Sequence, residues 1–294
     1  MFRHLSLNET GVPMRSLPKP NVTGAEVLQL CASSIRDHDL KERLLQAEAV
    51  VDTAEAMYRE RGEGGELHAI EGTKTVGGFI TRKEMERVYN GTFVKSSRTR
   101  STYAELKKVC VNDICPLCGQ GTVHQLDHYL PITSFPVFGV TAINLVPACS
   151  DCNKYKLIHV PANAGEQTIH PYFDEVDDEQ WLFGEVVEST PAAVRFAVNT
   201  PDSWNAIKAE RMKTHFRIYR LGALYATHAA VEIGNMRYAL KKMAATPGFA
   251  ERISKHLRER AESCAQIYKN SWQRATFDAL ADSDWFCARG FEAT

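Results

Sequence analysis

From Glu26 to about Arg61, apolar positions such as Val27, Leu28, Cys31, Leu44, Val51, Ala54 and Tyr58 recur at helical spacing, which predicts a largely helical segment. Asp37 to Asp39 mark a break within it, and Gly62 to Gly65 end it. A Gly-rich, partly β-like stretch follows. Thr81 and Glu84 in TRKEMERVY then fit a capping box that opens a short helix. After Asn90-Gly91, the stretch Ser101 to Val109 predicts another short helix, which delivers the chain to its first pair of closely spaced cysteines. Further on, WLFGEVVES and AVRFAVN alternate like the strands of a short hairpin. From Trp204 the pattern is strongly helical, broken at Pro247-Gly248, and predicts a lobe of two to four helices. Pro13, Pro18 and Pro20 oppose regular structure at the start. The expected organisation is therefore an extended arm (1–24), a mainly helical region (25–104), a central domain (105–180), and a hairpin followed by a helical lobe (181–294).

Composition changes this picture little, because 294 residues at 44% hydrophobic content describe a chain able to bury a full core. A formal net charge of −1 gives no overall field for a polyanion. Local charge is more informative. Residues 71–110 carry nine Lys or Arg against four Glu, and residues 205–260 carry twelve against four acids. Residues 161–204 reverse this, with nine acids against one Arg. The two basic regions are either ordinary solvated helix surface or two halves of a nucleic-acid face. The start has no apolar h-region, and no apolar run reaches the length of a membrane span, so a cytoplasmic protein without a membrane partner is expected.

Of eight cysteines, Cys31, Cys110, Cys264 and Cys287 are scattered, and four form two CxxC pairs. Cys115 and Cys118 are followed, after thirty intervening residues, by Cys149 and Cys152. Each pair can bend around one ion, and together they complete a tetrahedral four-thiolate shell that suits structural Zn²⁺. A redox-active pair would need only one CxxC, and an iron site would share the same ligands. Such a closed shell offers no position for chemistry; its role is to fold a loop-rich segment.

Between and after the pairs lie LDHYLP, NLVP and NKYK. Asp127 and His128 are adjacent, so on an extended strand they face opposite sides. That separates two tasks: Asp127 can hold a hard cation while His128 accepts a proton from water. Asn153, placed beside a zinc ligand, can complete an oxygen shell that favours Mg²⁺ or Mn²⁺. Lys154 and Lys156 offer charge for phosphate.

The combination CPLCG, LDHYLP and NLVPACSDCNKYK resembles the HNH family of His-metal-finger nucleases in its four-cysteine form. The resemblance covers roughly residues 110–174. It implies an α+β fold in which a zinc-stapled ββα-metal finger sits between helical flanks. It also implies an endonuclease that hydrolyses DNA phosphodiester bonds, with His128 as general base, Asp127 and Asn153 on one divalent ion, and Asn144 bracing the loop. Asn153 departs from the literal motif, where many members have His. More loosely, NLVPACSDCN with the following HPYFD is similar to HNH effectors of bacterial anti-phage systems, some of which work beside an ATPase. His170 of HPYFD is either a packing residue or, with Lys154 and Lys156, a DNA contact. One motif per chain cuts one strand, so a double-strand break implies a homodimer or sequential events. The alternatives are a zinc-dependent nucleic-acid-binding protein without cleavage, and a helical adaptor organised by zinc.

Overall fold

The computed structural model describes residues 15–293, and most of the expected arm at 1–24 lies outside them. The described residues form two compact units that meet in sequence at Glu175 and Val176. The fold is α+β, with helices flanking short hairpins and a small buried four-cysteine cluster.

In the first unit, Arg15 to Thr23 carry no helix or strand. Thr23 and Glu26 then form a capping box that starts α1 (Gly24–Ser34). The break expected near Asp37 is an N-cap: the Asp37 carboxylate accepts from the Leu40 amide (3.2 Å) and opens α2 (His38–Gln46). A further junction at Ala47 separates α3 (Glu48–Glu63), so the single broken segment read from periodicity is three helices. Glu55 of α3 is buried, and it accepts from the Gly24 amide (2.5 Å) and from Arg59. The start of α1 is thereby tied to the middle of α3.

A two-residue hairpin follows, β1 (Thr75–Val76) on β2 (Ile80–Thr81), and the expected Thr81–Glu84 capping box opens α4 (Arg82–Arg87). A π-helical turn over Val88–Phe93 leads to α5 (Arg100–Lys107). The second hairpin pairs β3 (Gln125–His128) with β4 (Leu145–Ala148), placing His128 opposite Leu145, and α6 (Ser150–Lys156) follows directly.

One apolar cluster joins Val27, Leu28, Leu44 and Val51 of the leading helices to Met85, Phe93 and Leu106, and to Leu126 and Leu145 of the second hairpin. The hairpin therefore rests on the helices that precede it.

The second unit pairs β5 (Leu182–Val187) with β6 (Ala193–Val198), the hairpin that the alternation predicted. Five helices follow: α7 (Ala206–Ile218), α8 (Leu221–Ala244), α9 (Phe249–Ile267), α10 (Trp272–Asp282) and α11 (Asp284–Ala288). Two to four were expected. The additional breaks carry neither Gly nor Pro: Arg220 adopts φ 53° between α7 and α8, and Ser283 caps α11 through the Phe286 amide. Asn270 clamps the entry to β5, accepting from the Trp181 amide (2.8 Å) and donating to the Glu179 carbonyl (2.8 Å).

Leu28 is fully buried in the cluster shared by the leading helices and the hairpin. Leu28→Ala is expected to destabilise the protein by about 2–5 kcal/mol. Urea denaturation followed by near-UV circular dichroism checks this, and a loss below about 1 kcal/mol would mean that the cluster does not support the hairpin.

Candidate metal centre and hairpin site

The first CxxC pair sits on a tight knuckle. The Gly119 amide donates back to the Cys115 carbonyl (2.8 Å), with Gly119 in the left-handed region at φ 64°. The Cys115 amide donates to the Gly121 carbonyl (2.7 Å), and the Gly121 amide reaches Cys118 Sγ (3.2 Å). Gly121 has a steric reason to be glycine, since a Cβ there would stand 2.9 Å from both Cβ and Sγ of Cys149. The second pair opens α6: Cys149 is the N-cap, and its sulfur accepts from the Cys152 amide (3.4 Å).

All four sulfurs are buried and lie within 4.8 Å of one another. Cys118 Sγ is 3.9 Å from Cys149 Sγ. That is far beyond the ~2.05 Å of a disulfide. It is close to the ~3.8 Å that tetrahedral geometry sets between sulfurs bonded at about 2.3 Å to one zinc. The donor set therefore fits a structural metal ion. Hydrogen bonds from Cys115 and its neighbours hold Cys118 and Cys149 below the usual thiol range. Burial pushes Cys115 up, and its three neighbours push Cys152 up. Four crowded thiols sharing protons in this way are a set that one cation can bind. The scattered cysteines differ, as burial pushes Cys31 and Cys110 up to about 12 and Cys287 up to about 11. Those three are buried packing thiols, held largely protonated.

Arg15 was not foreseen. Its guanidinium is buried and donates to the carbonyls of Leu117 (2.9 Å) and Pro116 (3.3 Å), closing over the first knuckle. Nearby, the Leu17 amide donates to the Pro171 carbonyl (2.7 Å), tying the HPYFD segment to the same strip of chain.

The remaining candidate residues lie on the hairpin, on α6 and on the HPYFD segment. His128 is buried, its ring edge-on to Tyr89 at 4.4 Å. Its Nε2 lies 2.8 Å from the Gly139 carbonyl, which can only accept, so Nε2 carries the hydrogen and Nδ1 is left with a lone pair. Burial lowers the ring's pKa to about 4, with the Gly139 hydrogen bond opposing the shift, and the imidazole is neutral near pH 7. The Asp127 carboxylate is also buried, 3.6 Å from Lys156 Nζ. Burial raises the Asp127 carboxyl and lowers the Lys156 ammonium, each partly offset by the other's charge.

Lys156, expected to face phosphate, instead points inward and donates to the His128 carbonyl (2.6 Å). Asn153 is half-buried one turn earlier on α6, on the same side as Lys156. Lys154 is exposed. Asn144 is fully buried and bonds both the amide (2.8 Å) and the carbonyl (3.0 Å) of Leu130, and the Phe138 carbonyl (3.3 Å). That places it as a brace of the loop between β3 and β4. His170 is fully buried among Tyr58, Tyr129 and Phe173. Tyr58 and Tyr89 reach Asn144 and His128 from the leading helical region; in sequence Tyr58 reads as one more apolar position at helical spacing, and nothing there singles out Tyr89.

The architecture defines a metal-binding α+β protein organised by a buried four-cysteine cluster at the base of a hairpin and helix. Among the described residues, no helix is long and apolar enough to cross a membrane. The chain is similar to protein ea31 of Escherichia phage lambda, with 28% identity over 292 residues that cover 93% of this chain and 99% of that protein. No family model and no solved structure matches it.

The purified protein is expected to hold about one zinc per chain. Cys115→Ser or Cys152→Ser should release it and lower the melting temperature, and mild acid should do the same to the wild type by protonating the thiolates. Elemental analysis with thermal melts checks this. Metal-free wild type, melting identically to either variant, would remove the metal from the structure's support.

Proposed function

We propose that the unit containing the four-cysteine cluster binds nucleic acid, with the metal-stapled hairpin and the basic segment 82–108 forming the binding surface. The observation that carries the proposal is how that segment meets β3. Tyr89 donates to the Leu126 carbonyl (2.7 Å), Tyr103 accepts from the Leu126 amide (3.3 Å), and Lys107 donates to the His124 carbonyl (2.7 Å). Arg87, Lys95, Arg98, Arg100 and Lys108 are all exposed on this segment. Of the nine cations at 71–110, only Arg82 has a carboxylate partner within 4.0 Å among the described residues, at Glu86 (3.4 Å). The second basic region is different. There Lys208, Lys213, Lys255, Arg258 and Arg260 each face a carboxylate within 4.0 Å. Cations without a carboxylate partner, exposed on a segment that is itself bonded to the hairpin strand, suit a phosphate backbone.

A second reading is that the bound strand is DNA and is cut there, as the HNH resemblance implies. The tautomer of His128 favours it: Nδ1 is a neutral acceptor, held in place by Gly139 and able to take a proton from water attacking a phosphate. One carboxylate, Asp127, and one amide, Asn153, suit a hard divalent ion that keeps most of its waters and would neutralise charge on the phosphate. Lys156 already places a cation beside Asp127, and both motif residues on β3 are buried. Binding without cleavage therefore stands first.

Fluorescence anisotropy with labelled duplex DNA, single-stranded DNA and RNA across a salt series tests the binding proposal. Affinity should fall as salt rises. Replacing Lys95, Arg98, Arg100 and Lys108 by Gln should flatten the log–log slope by about 0.9 for each duplex phosphate that is no longer neutralised. No binding at low salt, or an unchanged slope, would overturn it. A plasmid-nicking assay with Mg²⁺ or Mn²⁺ against EDTA tests the second reading. His128→Ala should retain zinc and DNA affinity while losing ~10²- to 10⁴-fold in rate. Wild type that binds without nicking would leave the first reading alone.

A further inference from the structure

We infer that Tyr58 and His170 are positioning residues for His128, acting through Asn144 along a buried line of hydrogen bonds whose direction is set at every atom. The inference takes its consequence for cleavage from the second reading above, while its structural half is independent of it.

The line begins at His170. The Tyr172 amide lies 3.2 Å from His170 Nδ1, and an amide N–H can only donate, so Nδ1 accepts. In the neutral ring the hydrogen is then on Nε2, which lies 3.1 Å from the Tyr58 hydroxyl and donates to it. The hydroxyl spends its own hydrogen on Asn144 Oδ1, at 3.0 Å. Asn144 Oδ1 takes a second hydrogen from the Leu130 amide, and Nδ2 donates to the carbonyls of Leu130 and Phe138. The amide cannot turn over without setting Nδ2 against two donors.

Tyr58, Asn144 and His170 are each completely buried, so bulk water does not reach a group that loses its partner. The end of the line is the loop from Leu130 to Gly139, which returns to His128 through the Gly139 carbonyl. Tyr58 supports this loop a second time, through its ring, which lies edge-on to Phe138 at 4.9 Å. A side chain of α3 thus determines where the carbonyl before Val140 points, and with it which nitrogen of His128 bears the hydrogen.

The test uses the full-length, metal-loaded protein labelled with ¹⁵N-histidine, with His128→Ala identifying the His128 signals. Long-range ¹H–¹⁵N spectra should show wild-type His128 as the Nε2–H tautomer. Tyr58→Phe, which keeps the ring and removes the hydroxyl, should bring in the Nδ1–H form. His170→Gln, a second variant should Tyr58→Phe fold poorly, should act in the same direction. Phe138→Leu removes the ring–ring packing while leaving the hydrogen-bond line and should change the tautomer least. If the protein cleaves DNA, Tyr58→Phe should lower kcat by about 10- to 100-fold with KM nearly unchanged. A His128 spectrum unaltered in folded, metal-replete Tyr58→Phe and His170→Gln would overturn the inference. A shifted tautomer in a protein that never cleaves would uphold it and sink the second reading alone.

Discussion

Four sulfur atoms within 4.8 Å of one another, shut away from water, are the constraint on which the first unit depends. Without a shared cation such a cluster must keep protons among crowded donors, and with one it joins the first knuckle to the start of α6 at the base of the hairpin. The knuckle at Cys115–Cys118 and the start of α6 lie far apart in sequence, and the β3–β4 pairing is only four residues long. Their meeting point fixes the direction in which α6 leaves the hairpin. That in turn decides that Lys156 reaches back under β3 while Lys154 faces solvent.

What could be read in the sequence follows from how local the chemistry is. The two CxxC pairs announce a four-ligand cluster because ligand type and short spacing are nearly sufficient to make one. Thr81 with Glu84 marks a helix start because a cap is satisfied within three residues, while Asp37, which reads in sequence only as a break, is the cap of α2. The β5–β6 hairpin shows itself as alternation. The roles of His128, Asp127 and Asn153 depend on what the fold places around them, which lies beyond that local legibility.

The unforeseen residues have long-range polar roles. Arg15 meets the knuckle about a hundred positions away, and Tyr58 reaches Asn144 across 86 positions. A buried tyrosine on a helical face has the same periodic signature whether or not its hydroxyl is used. Lys156 shows the converse: in sequence it is one more cation after a motif, and only the fold reveals that its ammonium is held between a carbonyl and a carboxylate. Gly121 carried a signal that was available, since a glycine three residues past a metal cysteine is a place where sulfur approaches backbone closely.

The line from His170 through Tyr58 to Asn144 also bears on how such a chain can change over generations. Along the line each hydrogen bond has its direction imposed by the neighbouring one, so exchanging one member alone leaves a hydrogen or a lone pair stranded in the dark. Drift at positions 58, 144 and 170 is therefore expected to be joint. Among divergent relatives these three should be replaced as a set, even though they lie on a helix, a turn and a distant loop, and covariation between them would be a record of hydrogen-bond polarity.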